Sequence, residues 1–314
     1  MTRRSVESSA PGKAILFGEH AVVYGQPAIA VPVTQVEATA RVEPAPAGSG
    51  LALIAADLGE SFNLAAAPAE APLAVAARLT LDHLAMPVPD ARLTIHSTIP
   101  IASGLGSGAA VSTALVRALA DFMGTPLPRA DVSDLVYEVE RIHHGTPSGI
   151  DNTVIAYERP VYFVRAEASG PALVSVGSPF RLLIADTGLP SPTRRVVSRV
   201  RLGWQREPAR YEASFERIGE VARQARDRMD AGDADALGAL MDENHRLLVE
   251  LGVSSPVLDR LVEAARTAGA TGAKLSGAGQ GGNMLALVEP QVIDGVADAL
   301  KKAGATRTIR TIVT

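Results

Sequence analysis

Between Pro100 and Leu119, three glycines alternate along a short loop, Gly104, Gly106 and Gly108, and a helix has to begin directly behind them. The helix is predicted from Val111, Leu115, Ala118 and Phe122, which recur every three or four residues along one face. Glycines let the loop reach positive φ and remove the Cβ atoms that would hold a ligand away from the backbone. The N–H groups that follow belong to a first helical turn and lack partners within the helix. Together with the positive end of the helix dipole they favour an anion, above all a phosphate. Three glycines before a helix can also make no more than a tight turn. The stretch matches neither common phosphate-binding pattern: no Lys stands where GxxxxGK[ST] needs one, and Ala109 takes the place of the third glycine of GxGxxG.

The order of elements around the loop supports the phosphate. Residues 91–98 alternate, with Leu93 and Ile95 opposed to Arg92, Thr94 and His96, and form a strand leading into it. Strand, glycine loop and helix is the order that a phosphate cradle needs. Upstream, residues 5–16 read as a strand whose apolar end is Ala14, Ile15, Leu16 and Phe17, and residues 27–43 as a second strand around Ile29, Val31, Val33 and Val36. The glycine-punctuated segment between them holds three polar residues, Lys13, Glu19 and His20. Each taken alone has a structural reading, as a rim lysine, a capping carboxylate or a satisfied core histidine. Residues 51–64 suggest a hairpin, and Pro72 starts a helix buried along Leu73, Ala77, Leu81 and Leu84.

Downstream, Leu135, Val139 and Ile142 form a helical stripe closed by Gly145, with Glu140 beside it and able to face the core side. The chain then turns through Pro147, Ser148 and Gly149 to Asp151. A strand is expected at Thr153–Ile155 and another at Val161–Val164. Asp151 after such a turn can simply stabilise it. His143 and His144 are adjacent and cannot share a helix face as metal ligands, so zinc is a poor reading. A domain boundary is placed near Gly177, giving residues 1–177 and 178–314. The second part reads strand (180–187), a helical region interrupted at Pro208 and Gly232, helix (256–268), strand (271–275), strand (283–288), helix (291–303) and strand (306–313). That order suggests a split βαβ, ferredoxin-like arrangement. A second glycine cluster, Gly277, Gly279, Gly281 and Gly282, lies between its two central strands and is richer than a hairpin needs.

Composition excludes several functions. With no cysteine among 314 residues there is no disulfide, no thiolate catalysis and no Cys-ligated zinc. A net charge of −4, from 30 Lys+Arg and 34 Asp+Glu, offers no nucleic-acid or acidic-membrane surface. No signal-type core and no run of 18 apolar residues appears, so a cytoplasmic protein is expected.

Three blocks, PGKAILFGEHAVVYG (11–25), PIASGLGSGAAVSTAL (100–115) and KLSGAGQGGNMLAL (274–287), together resemble the GHMP kinases, the small-molecule kinase family that includes galactokinases, homoserine kinases, mevalonate kinases and phosphomevalonate kinases. Their order and spacing cover almost the whole chain. Within the family the pattern is most similar to the branch acting on mevalonate. Galactokinases usually carry Arg where Lys13 stands, and phosphomevalonate kinases tend to have Tyr in place of His20. Glu140 precedes Asp151 by eleven residues (151 − 140 = 11), as in that branch.

The resemblance implies an α+β fold of two domains, an N-terminal ribosomal-S5-domain-2-like ATP-binding and catalytic domain and a C-terminal ferredoxin-like domain, with the active site in the cleft. It implies ATP held by Pro100, Ser103, Gly104, Leu105, Gly106, Ser107, Gly108 and Ala109, and Mg²⁺ held by Ser107 and Glu140. Asp151 would accept the proton of the C5 hydroxyl of mevalonate, and Lys13 would stabilise the developing alkoxide and the moving phosphoryl group. Glu19 and His20 would hydrogen-bond the substrate, with Ser148 and Thr193 lining the same pocket. Arg165 is the candidate cation for the substrate carboxylate, with Arg194 behind it. The implied partners are a small alcohol and ATP, with no nucleic acid or membrane, and a homodimer is compatible with the pattern. The alternatives are a sister kinase acting on phosphomevalonate or another alcohol, and a non-catalytic ligand sensor on the same scaffold. Two departures bear on the site. Gly108 stands where the family often has a second serine, and Gln280 and Asn283 replace a glycine and a cysteine of the third block.

Overall fold

The computed structural model describes residues 4–100, 103–144, 147–165 and 171–314. Ile101 and Ala102 of the glycine stretch and the expected helix stop at Gly145 lie outside the described residues, as do the side chains of His143 and His144. The chain forms two compact units that interleave along the sequence. One comprises residues 1–12, 36–100 and 106–158, the other residues 13–35, 101–105 and 159–314.

Two long strands, β1 (Val6–Phe17) and β2 (Ala28–Pro44), pair with each other, and each contributes to both units. In the first unit the later half of β2 runs antiparallel to β5 (Ala91–Ser97). β5 in turn lies parallel to β3 (Leu51–Ala55), which forms the expected hairpin with β4 (Glu60–Asn63). From Val36 to Val42 the β2 side chains alternate between buried and more exposed, the mark of a sheet with one covered face. The helices are α1 (Pro72–His83), with Pro72 at its first position, α2 (Ser107–Met123), α3 (Arg129–His144) and α4 (Ile150–Tyr157). Consecutive ones pack together, and α2 also touches β5 and α4.

The α4 helix corrects the strand expected at Thr153–Ile155. A β-branched run Thr-Val-Ile favours strand by propensity. Here the residues Asn152–Ala156 are all buried, α4 packs on both α2 and α3, and the Thr153 hydroxyl donates to the Gly149 carbonyl at 2.7 Å. Tertiary packing overrides the local preference.

In the second unit the early half of β2 pairs with β6 (Val161–Phe163), which pairs with β7 (Ala172–Leu173). Beyond them β8 (Phe180–Asp186), β9 (Gly272–Ser276), β10 (Asn283–Leu287) and β11 (Arg307–Val313) form an antiparallel sheet in the order β11-β8-β10-β9. With helices α5 (Thr193–Arg206), α6 (Pro208–Ala231), α7 (Ala234–Glu250) and α8 (Pro256–Thr267) after β8, and α9 (Ile293–Lys302) before β11, this is the split βαβ order that the sequence suggests. β10 is buried at every position, as a central strand should be. Among the described residues no helix is long and apolar enough to cross a membrane.

Candidate active site

The glycine stretch has the conformation that its composition demands. Gly104 and Gly106 sit at φ 86° and 75°, where a side chain would be strained, and nothing lies within 4 Å of a Cβ placed on Gly104. Gly106 caps α2 and its carbonyl accepts from the Ala110 amide at 2.9 Å, so the helix starts at Ser107. The N–H groups of a first helical turn lack partners within the helix, and the helix N-terminus favours an anion. Gly108, where the family often has serine, is a crowded position. A Cβ there would stand 3.3 Å from Oε1 of Glu140. The missing side chain therefore lets the α3 carboxylate come up against the first turn of α2, which Ser107 opens. A hydroxyl and a carboxylate on adjoining helix faces are hard oxygen donors of the type Mg²⁺ takes, so the residues fit the ion that the resemblance implies.

In the same unit Asp151 lies in the first turn of α4, half-buried, behind Gly149 at φ 88°. The dipole of α4 favours a negative charge at that turn. The Ser148 hydroxyl accepts from the Ile150 amide at 3.4 Å. Asn152 is 5% exposed, and its amide donates to the Ser133 carbonyl at 3.1 Å and to the Ser133 hydroxyl at 2.9 Å. At the far end of α4, Arg117 donates to the Ala156 carbonyl at 2.7 Å and pairs with Glu158, and Arg129 donates to the Tyr157 carbonyl at 2.6 Å. The last carbonyls of the helix are thereby satisfied.

The second unit holds the other expected residues. Lys13 is buried, and its amide donates to the Leu105 carbonyl at 2.9 Å, tying β1 to the glycine stretch. Asn283 ties down the same stretch from β10, donating to the Ser103 carbonyl at 2.6 Å. Gln280 adopts φ 62°, a conformation natural to the glycine it replaces, and its side chain is held by the Ser254 carbonyl. Both departures from the family pattern thus have structural work.

The turn after β1 begins at Gly18, where a Cβ would fall 2.3 Å from the Pro27 carbonyl, so only glycine fits. Glu19 follows, fully enclosed. One of its oxygens pairs with the Lys274 ammonium, and the other accepts from Asn244 at 3.0 Å. The carboxylate that the resemblance assigns to the substrate is thus occupied by two protein groups. Lys274 donates further to the Leu275 carbonyl at 2.8 Å, and burial pushes its pKa down against the opposing pull of Glu19. His20 sits at φ 61°, uncommon for a residue with a side chain. Its Nε2 lies 3.0 Å from the Ala278 carbonyl. A carbonyl only accepts, so Nε2 carries the hydrogen and Nδ1 is left as an acceptor. Thr193, exposed, opens α5 with its hydroxyl 3.4 Å from the Ser191 carbonyl, and Arg165, also exposed, follows β6.

Burial pushes His20 down to about 4, with the Ala278 hydrogen bond acting the other way. His245 is also lowered to about 4, chiefly by burial and then by Arg266, with Asp259 opposing. The Leu275 amide donates to Nδ1 of His245 at 3.3 Å, a bond that requires this nitrogen to be unprotonated. Both histidines take up protons more readily when unfolded, so unfolding consumes protons between about pH 4 and 6.5. Stability should therefore be level above pH 7 and fall as the pH drops through that window, by up to about 3 kcal/mol for each histidine. Urea titrations at pH 7.5, 6.5 and 5.5 check this, and equal stability at all three would contradict it.

Lys274, Asn244, Asn152, Ser133 and Asn283 carry this architecture, yet sequence reasoning gave them no role. Lys274 had a signal, a lone cation in the buried-type run Gly272–Leu275. Asn283 stood out only as a departure from the family pattern, and Asn152, Asn244 and Ser133 gave no signal, because their partners lie 19 to 225 residues away.

A family profile described as the GHMP kinases N terminal domain matches residues 71–159, and one described as GHMP kinases C terminal matches residues 220–306. The mevalonate kinase of Pyrococcus furiosus is 34% identical over 98% of this chain and 96% of its own length. That of Pyrococcus abyssi is 36% identical over the same shares. Among solved structures, L. major mevalonate kinase in complex with R-mevalonate matches with a TM-score of 0.85 at 29% identity, covering 98% of this chain and 95% of that one. Methanococcus jannaschii mevalonate kinase matches with a TM-score of 0.84 at 26% identity, covering 100% and 98%.

Proposed function

The chain belongs to the GHMP kinases, among the mevalonate kinases of that family, and from this premise we propose how its residues divide the reaction. The enzyme uses ATP to phosphorylate the C5 hydroxyl of (R)-mevalonate, giving 5-phosphomevalonate for isoprenoid synthesis. The observation that carries this reading is identity of 34–36% to mevalonate kinases over nearly the full length of both chains.

In our assignment the glycine stretch from Ser103 to Ala109, with Pro100, receives the nucleotide phosphates on main-chain N–H groups at the start of α2. Ser107 and Glu140 would hold Mg²⁺, which would supply charge neutralisation for the phosphates. Asp151 takes the C5 hydroxyl proton on a carboxylate oxygen, and Lys13 stabilises the alkoxide that develops as it leaves. His20 offers Nδ1 to a substrate hydroxyl. Ser148, Thr193 and Arg165 complete the substrate contacts, with Arg165 on the carboxylate. We assign Glu19 a different part from the one its motif suggests: with both oxygens occupied, it holds the turn carrying His20 through Lys274 and Asn244. With the boundary expected near Gly177, residues 1–177 bind the nucleotide and supply the base, and residues 178–314 form the ferredoxin-like part, although residues 13–35 and 159–177 group with the latter in one compact unit.

The test is a panel of alcohols with ATP and Mg²⁺ in a coupled ADP assay. Mevalonate should give the highest kcat/KM by at least tenfold. Equal or better turnover of phosphomevalonate would transfer the assignment to the sister activity, and ATP binding with no turnover of any alcohol would make the chain a sensor.

A further inference from the structure

The α4 helix has only eight residues, and Asp151 in its first turn can be no better placed than the helix is. A helix this short is marginal without tertiary support. Its support is polar as well as apolar. Next to Asp151, the Asn152 amide places one hydrogen bond on the Ser133 carbonyl and another on the Ser133 hydroxyl. The Thr153 hydroxyl binds back to the Gly149 carbonyl and stands 3.5 Å from the same Ser133 hydroxyl. Asn152, Thr153 and Ser133 are all at most 5% exposed. Ser133 lies on α3 seven residues before Glu140, two helical turns earlier and so on nearly the same face.

Apolar packing alone leaves a short helix free to slide or rotate by small amounts at little cost. Directional hydrogen bonds to a fixed carbonyl remove that freedom. The bonds from Asn152 register α4 against α3, the helix whose Glu140 approaches the first turn of α2. A shift of about 1 Å in a reacting group can cost on the order of 100-fold in rate. Resting on the assignment of Asp151 as base, we propose that Asn152, anchored on Ser133, is a positioning residue that sets the place of the Asp151 carboxylate relative to Glu140.

The test is a kinetic double-mutant cycle on the full chain. Asn152→Leu keeps the volume of the side chain and removes both donor bonds. It should lower kcat at least tenfold while the Kd for ATP, by calorimetry, changes less than twofold. Ser133→Ala, which removes one of the two acceptors, should lower kcat two- to threefold. The discriminating arm repeats Asn152→Leu in the Asp151→Asn background. A residue that acts through Asp151 has nothing left to position there, so residual turnover should not fall further. The same fold loss in both backgrounds, an unchanged kcat in the single variant, or a parallel loss of ATP binding would each overturn the proposal. Near-normal turnover of Asp151→Asn by itself would instead overturn the base assignment on which it rests. Should Asn152→Leu not fold, Ser133→Ala and Thr153→Val, each losing a single hydroxyl, run the same cycle.

Discussion

Asp151→Asn should abolish most turnover, about 10²–10⁴-fold in kcat, and leave ATP affinity within twofold of the parent. The carboxamide has the shape of the carboxylate but cannot accept the proton of an alcohol, so the loss falls on the chemical step. The surroundings argue against a folding explanation. Asp151 is half-buried in the first turn of α4, and Asn152, Thr153, Arg117 and Arg129 all contribute bonds that hold this helix. The carboxamide keeps the size of the carboxylate and one of its acceptor oxygens, and a urea titration of the variant distinguishes a folding defect from a loss of chemistry. A coupled ADP assay with a parallel calorimetric titration of ATP separates the two effects. Turnover within a few-fold of the parent would leave the kinase without a base at this position.

The glycine stretch and its helix were legible in the sequence because their physics is local: alternating glycines, then a periodic apolar stripe. The ferredoxin-like order of the C-terminal elements was legible for the same reason, since strands and helices there are clearly periodic and well punctuated. The α4 helix was not. Thr153, Val154 and Ile155 favour a strand locally, and only burial against α2 and α3 makes them helical. Glu19 shows a second kind of limit. Its motif marks the residue but carries no sign of the lysine 255 residues away that pairs with it. Gly108 and Asn283 stood out as departures from a pattern. Their reasons, the approach of Glu140 and the anchoring of Ser103, are contacts between distant segments.

The enclosed pair of Glu19 and Lys274 should be the most sensitive point of the second unit. Both side chains are 0% exposed, and between them they join the turn after β1, α7 through Asn244 and the strand β9. Removing one member of such a pair leaves the other without compensation in a medium that solvates it poorly, at a cost of about 3–5 kcal/mol. Lys274→Met should therefore lower the stability to urea by that amount, whereas exposed ion pairs such as Arg246 with Glu250 should hardly register when broken. A neutral replacement of both, Glu19→Gln with Lys274→Met, should recover most of the loss, because no bare charge remains. A loss below about 0.5 kcal/mol for Lys274→Met, the range of ordinary surface changes, would mean that the pair does not brace this unit. Glu19→Gln alone adds a pH signature. Burial already lowers the Lys274 pKa, and Glu19 opposes that shift. Without the carboxylate the folded chain binds this proton more weakly still than the unfolded chain does. The deficit of Glu19→Gln should accordingly shrink as the pH rises towards the ordinary lysine range, as proton linkage requires. A deficit that stayed constant across that range would show that Lys274 had found another partner for its charge.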